Sequence, residues 1–259
     1  VPLALRDARH VLLTGAAGAI GGALADRLHE QCPGARFTLL DRDRAGLDAV
    51  AARVGGRAVA CDLSQVASLD ALWADATREQ PVDVLVSCAG IMEMVTFART
   101  SWELGSTLLA IDLLSPLRLM SLAVPSMRER GLGIVVNVSS MAGLVPLRGA
   151  SYYGAAKAGL AMASEIARME LGAAGVHVLT VYPGPVTSGL ERRAREQVGG
   201  SWLAGGMPTG EPGPLADRIV LAMREQRARV VYPSLYEVGF RALGLSRLFA
   251  ERFSPEPSV

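Results

Sequence analysis

Seven short apolar runs rich in β-formers, at 10–14, 36–40, 57–61, 83–87, 133–138, 176–182 and 229–232, alternate with longer stretches of helical apolar spacing. This is the rhythm of a parallel sheet whose helical crossovers cover both faces. The expectation is therefore an α/β, doubly wound, Rossmann-type fold. At 259 residues, half of them hydrophobic, the chain can bury one sizeable core, so a single domain is expected over 1–259.

The rhythm breaks between Pro183 and Pro214, where Gly199, Gly200, Gly205, Gly206, Pro208, Gly210, Pro212 and Gly213 gather. An irregular loop over 189–213, with a short helix around 189–198, is expected to border the substrate. From Leu235 to Phe253, apolar residues recur at 235, 238, 242, 245, 249 and 253 with Arg241, Arg247 and Arg252 beside them. That spacing predicts one C-terminal amphipathic helix, packed on a protomer rather than on a membrane.

A formal net charge of +1, spread along the chain, leaves no basic stripe for nucleic acid. Cys32, Cys61 and Cys88 have no CxxC or Cys/His spacing, so neither a disulfide framework nor a metal site is expected, and a reducing compartment fits. No apolar stretch of leader length precedes Arg6, Asp7 and Arg9, and no later run reads as a membrane span. The cytoplasm is the expected location.

Of the 26 basic residues only Lys157 is lysine. Codon bias accounts for most of the arginines but not for the place of the one exception. A compact ammonium and a planar guanidinium are not interchangeable at a tight site, so position 157 needs a functional account.

The first motif follows the first run: Thr14 leads into Gly15-Ala16-Ala17-Gly18-Ala19-Ile20-Gly21 and a helix beginning near Gly22. Such a turn lets backbone N–H groups approach a pyrophosphate at the positive end of a helix. Asp41 ends the second run, where a carboxylate can accept from an adenosine ribose. Asp41 reads equally as a helix N-cap, and Arg42 as a solvated charge or as a partner for a 2′-phosphate. With Asp41 on the ribose the cofactor is NAD; with Arg42 dominant it is NADP, and NAD is the preferred reading.

The second motif is Tyr152-Tyr153-Gly154-Ala155-Ala156-Lys157. Four residues apart on a helix, Tyr153 and Lys157 share one face. The fifth run ends at Asn137-Val138-Ser139-Ser140, which places hydroxyls where open α/β sheets bind ligands.

These motifs resemble the short-chain dehydrogenase/reductase family from about His10 to Ser188. The family's TGxxx(A/G)xG turn is Thr14 to Gly21, with Ala19 where glycine is more frequent, and its YxxxK pair is Tyr153 and Lys157. Its serine, thirteen residues before the tyrosine, selects Ser140 over Ser139. The resemblance implies that Asp62, with Leu63, contacts adenine. It also implies that Pro183, Gly184, Val186 and Ser188 form a PGxVxT-like segment, with Ser188 beside the nicotinamide carboxamide. The family's NNAG is here Ser87-Cys88-Ala89-Gly90, in which Ala89 and Gly90 keep the close backbone approach. Its asparagine in V-N-L is here Asp112 in Ile111-Asp112-Leu113. A seven-stranded sheet, a bound NAD or NADP, a small-molecule substrate and a homodimer or homotetramer built through helices near 101–130 and 151–174 are further implied.

Ser140, Tyr153, Lys157 and Asp112 are thus the catalytic candidates, for hydride exchange between the cofactor and an alcohol or ketone. Bringing a phenol from about 10 to near 7 takes roughly 4 kcal/mol. An ammonium about 4 Å away supplies about that much at an effective dielectric near 20. An ionised Asp112 beside Lys157 opposes the effect, which favours the alternative of a nucleotide-binding regulatory protein without turnover. The segments Ile91–Phe97, Met141–Leu147 and the loop with Trp202, Leu203 and Met207 are mostly apolar, favouring an apolar substrate.

Overall fold

A computed structural model of the protein describes residues 3–198, 208–254 and 257. In chain order it contains β1 (His10–Thr14), α1 (Ala19–Gln31), β2 (Arg36–Asp41), α2 (Arg44–Val54), β3 (Arg57–Ala60) and α3 (Leu69–Thr77). Then come β4 (Val84–Ser87), α4 (Trp102–Leu109), α5 (Ser115–Arg130), β5 (Gly133–Val138), α6 (Ser151–Leu171) and β6 (Val176–Pro183). The chain continues through α7 (Gly189–Gln197), α8 (Pro212–Arg224), β7 (Arg229–Tyr232), α9 (Tyr236–Arg241) and α10 (Leu243–Phe253).

All seven strands are parallel in one sheet of order β3-β2-β1-β4-β5-β6-β7. Successive side chains of a strand point to opposite faces, and the core divides accordingly. Val11, Leu13, Val84, Val86, Ile134 and Val136 pack under α1, α2 and α8. Leu12, Leu85, Val135 and Val178 pack under α3, α5 and α6. With both faces covered the central strands are largely apolar, which is why they read as continuous runs. Strand order reverses between β1 and β4, opening a crevice at the carboxyl ends of the strands.

The short helix expected around 189–198 is α7, capped by Ser188 Oγ accepting from Glu191 N at 3.1 Å, and the last two residues of the 189–213 stretch begin α8 with Pro212 in the first turn. Proline suits that position because its missing N–H would have had no partner there. Trp202, Leu203 and Met207 lie outside the described residues.

The single helix expected over 235–253 is two, broken at Ala242 (φ −111°, ψ 47°). The break lets Phe240 lie against Tyr182, ring centroids 5.2 Å apart, while Ser246 Oγ donates to Gly239 O at 3.1 Å. Leu235, Val238, Leu245, Leu248 and Phe249 are exposed, so periodicity marked an apolar face that the described residues leave open.

Finally, Trp102–Arg130 is long and apolar enough to cross a membrane by length and composition. In the fold it is interrupted by a π-helical turn at Ala110–Leu114, and α5 sets Leu119, Ala123 and Met127 into the core.

Candidate active site

The carboxyl ends of β1, β2, β4, β5 and β6 bring the sequence motifs together around the crevice. Gly15 has φ +71°, and a Cβ there would stand 2.7 Å from the Ala89 backbone. A Cβ on Gly21 would stand 2.0 Å from Gly15 O. Both positions therefore require glycine, one for its dihedral and contact and the other to let α1 close on the turn. Thr14 Oγ1 ties the turn to β4 by accepting from the N–H groups of Cys88 and Ala89, each at 3.1 Å.

Helix α1 begins at Ala19, earlier than Gly22, with exposed Gly18 as a cap that offers no side chain. Its first-turn N–H groups, at Ala19, Ile20 and Gly21, have no intrahelical acceptors. They form an anion-binding end of the kind a pyrophosphate uses.

Asp41 is not the cap of α2. Asp43 is, accepting from Gly46 N at 3.2 Å. Asp41 turns inward, and its Oδ2 accepts from Ala17 N at 2.9 Å while its Oδ1 accepts from Asp43 N at 3.0 Å. Each oxygen keeps acceptor capacity for a hydroxyl. Arg42 is exposed and makes no ion pair with another described residue. Asp62 Oδ1 accepts from Ser64 N at 2.9 Å, and that bond holds its carboxyl below the usual range. Leu63 is buried, its carbonyl accepting from Ser115 Oγ.

On α6, Tyr153 and Lys157 are buried side by side, with Lys157 Nζ 5.8 Å from the Tyr153 ring centroid. Lys157 Nζ donates to Val138 O at 3.0 Å, anchoring the ammonium at the end of β5, and Ser139 Oγ donates to Lys157 O at 2.7 Å. Asp112, on the π-helical turn, completes the group: its Oδ1 lies 3.0 Å from Lys157 Nζ, and its Oδ2 accepts from Ile91 N at 3.3 Å. The Asp112–Lys157 contact is an ion pair rather than an aligned hydrogen bond. Ser140 Oγ accepts from Ala142 N at 3.1 Å and reaches Pro183 O at 3.5 Å.

The electrostatics differ from the expectation. Burial pushes the Tyr153 phenol above its ordinary value; Lys157 pulls it down, Asp112 pushes it up again and the Ser140 hydroxyl lowers it, with burial prevailing. Burial also pushes Asp112 up, against the pull of Lys157. It works against the Lys157 ammonium as well, but Asp112 and Tyr153 more than offset it and Lys157 lies above an ordinary lysine. Burial raises the Cys88 thiol to about 12, so it is uncharged beside them.

A family model described as short chain dehydrogenase matches residues 9–199. The chain belongs to the short-chain dehydrogenase/reductase family of oxidoreductases. It is 35% identical to the ketoacyl reductase HetN of Nostoc sp. over 229 residues, 85% of this chain and 77% of that one. It is 33% identical to the D-threitol dehydrogenase of Mycolicibacterium smegmatis over 211 residues, 79% and 80% of the two chains. A short-chain dehydrogenase from Sphingobium yanoikuyae, solved in complex with NADPH, superposes with a TM-score of 0.80 at 26% identity over 94% of this chain and 95% of that one.

Within this short-chain dehydrogenase fold the structure also identifies side chains that motif reading passed over. Gln197, at the end of α7, accepts from Met94 N at 2.9 Å through Oε1 and pairs with Glu93 through Nε2, closing α7 onto the 91–96 segment. Nothing in the sequence marks that contact, because its partners are distant along the chain. Tyr236, the first residue of α9, packs on Gly184, where a Cβ would stand 2.9 Å from its ring. Its hydroxyl donates to Pro208 O at 3.3 Å. Ser188, expected beside the carboxamide, has its hydroxyl engaged as the α7 cap. Val186 is buried and forms a bridge with Gly210.

Proposed function

We propose that this protein transfers hydride between NAD and an alcohol or ketone, with Tyr153 as the general acid/base, Lys157 holding the nicotinamide ribose and the phenol, and Ser140 holding the substrate oxygen. The single observation that carries the reading is the convergence of Ser140, Tyr153 and Lys157 at the strand ends beside the glycine turn. The residues present fit a dinucleotide: the turn admits backbone where a Cβ would collide, α1 offers free N–H groups, and Asp41 faces the turn. The bound nicotinamide would supply or accept the hydride.

The residues of the chain do the rest. Ser140 orients the oxygen of the substrate, and Tyr153 Oη passes a proton to it or takes one from it. Asp62 and Leu63 border the adenine, and Ala89, Gly90, Pro183, Gly184, Val186 and Ser188 line the nicotinamide end. NAD is favoured over NADP because the Asp41 carboxylate welcomes a ribose diol and repels a 2′-phosphate. Met92, Met94, Ala142 and Leu147 beside Tyr153 supply the apolar wall that favours an apolar substrate.

Titration with NAD and NADP, followed by an absorbance screen at the nicotinamide band with assorted ketones and secondary alcohols, tests the reading. Turnover supports it. Cofactor binding with no turnover of any substrate would instead favour a nucleotide-binding protein that keeps the fold alone.

A further inference from the structure

Asp112 occupies space that Gly90 leaves open. A Cβ on Gly90 would come within 2.7 Å of Asp112 Oδ1 and 3.4 Å of Lys157 Nζ, so glycine admits the carboxylate and the ammonium together. Bulk solvent barely reaches the pair: the Asp112 side chain is 0% exposed and that of Lys157 5%. Among the described residues, the groups acting on the phenol are Lys157 from the same helix, Asp112 from the π-helical turn and Ser140 from the end of β5. Met94, Ala150 and Val198, packed around the ring, bring no charge. Cys88, from the end of β4, faces Lys157 as a neutral thiol.

We propose that Asp112 is a positioning residue which offsets the Lys157 charge and keeps Tyr153 a neutral phenol at neutral pH, poising the site to reduce a carbonyl rather than to oxidise an alcohol. The proposal rests on the acid/base reading of Tyr153 given above. An uncharged residue at 112 would leave the ammonium as the one full charge beside the phenol, and that charge favours phenolate. The carboxylate places an opposite charge in the same enclosed space. With the two charges opposed, desolvation decides, and desolvation favours the uncharged phenol.

The consequence is directional. In reduction, a bound reduced nicotinamide would supply the hydride to the carbonyl carbon, and the Tyr153 Oη–H bond breaks as its proton moves to the carbonyl oxygen. The phenolate then regains a proton from water. A phenol protonated across the neutral range starts every such turnover in the required state. Oxidation of an alcohol needs the phenolate first, so it reaches full rate only at alkaline pH. The overall equilibrium is unchanged; what Asp112 moves is the pH at which each direction is supported.

The test is Asp112→Asn, near in shape and without charge. The phenol is titrated by ultraviolet difference spectroscopy in the unliganded protein, each protein referenced to its own Tyr153→Phe counterpart so that the other tyrosines cancel. In parallel, kcat/KM is followed against pH for ketone reduction and secondary-alcohol oxidation. The expected result is a midpoint at least about one pH unit lower in Asp112→Asn, a tenfold change in the phenol-to-phenolate ratio. The alkaline limit of reduction and the onset of oxidation should shift with it. Should Asp112→Asn fail to fold, Asp112→Ser removes the same charge and is titrated in its place. An unchanged midpoint in a folded variant overturns the proposal, and so does a parent that oxidises alcohols at full rate at neutral pH. A midpoint that moves in a protein turning over no alcohol or ketone overturns the acid/base reading while upholding the charge effect, so the two failures are distinguishable.

Discussion

Lys157 Nζ and Asp112 Oδ1 stand 3.0 Å apart in a space where neither side chain is more than 5% exposed. The one lysine of the chain thus donates to Val138 O and stands in an ion pair with a carboxylate. An ammonium has three donors, and the ribose hydroxyl proposed to meet Lys157 would bind with Asp112 and Val138 already in place. The predictions below follow from this arrangement and from the elements that hold it.

Tyr153→Phe keeps the ring in its apolar setting among Met94, Ala150 and Val198 and removes only the hydroxyl. Turnover is expected to fall by about 10²- to 10⁴-fold, the usual contribution of a positioned acid or base. Cofactor dissociation constants, measured by fluorescence titration, are expected to stay within about threefold of the parent. Near-parental rates would move the proton-transfer role to another group.

Lys157→Arg preserves charge but places a planar guanidinium where Val138 O, Asp112 and the Gly90 backbone fit an ammonium. Overpacking of this kind costs about 1–3 kcal/mol. The measured outcome is a lower thermal midpoint together with weaker cofactor binding and lost turnover. Parental values of all three would reduce Lys157 to an incidental buried charge.

Asp41→Ala removes the acceptor for Ala17 N and Asp43 N as well as the group proposed to meet the ribose diol. Hydrogen bonds to a charged group contribute about 1.5–3 kcal/mol. NAD affinity should therefore fall roughly 10- to 100-fold, with NADP gaining relative to it because the repulsion of a 2′-phosphate is gone. Isothermal titration with both cofactors measures the ratio. A parent that already prefers NADP would show that exposed Arg42 governs the choice and would withdraw Asp41 from the ribose.

His10 opens β1 in full burial, its ring nitrogens 2.9 Å from Gln80 O and from Thr38 Oγ1. Burial lowers its pKa, and the same cause lowers that of His177. A group whose folded pKa is depressed contributes stability that is fully present above the unfolded value of 6.5 and is lost as pH falls through the folded value. Denaturant unfolding between pH 8 and pH 5, to take a range of about 3 units around the histidine value, should show declining stability on the acid side. His10→Gln should flatten part of that decline. A stability independent of pH below 6.5 would mean that both rings are accommodated as cations.

What the sequence by itself determined is whatever depends on near neighbours and on period. The alternation of runs specified a parallel sheet with helices on both faces, because strands covered on both faces are largely apolar. The glycine turn was legible because Gly15 and Gly21 answer to local backbone contact, and Tyr153 and Lys157 were paired because one helical turn separates them.

The tertiary structure alone decided which way Asp41 faces, since Asp43 competes for the α2 cap and wins it. It alone broke the C-terminal helix at Ala242, where the contact of Phe240 with Tyr182 outweighs a continuous apolar spacing. It also set the direction in which burial and neighbouring charges move the phenol's pKa. Desolvation and charge pairing depend on how completely groups from separate elements enclose one another, and no residue type carries that information along the chain. Asp112 and Lys157 arrive from a π-helical turn and from α6 and meet only because the fold closes around Gly90.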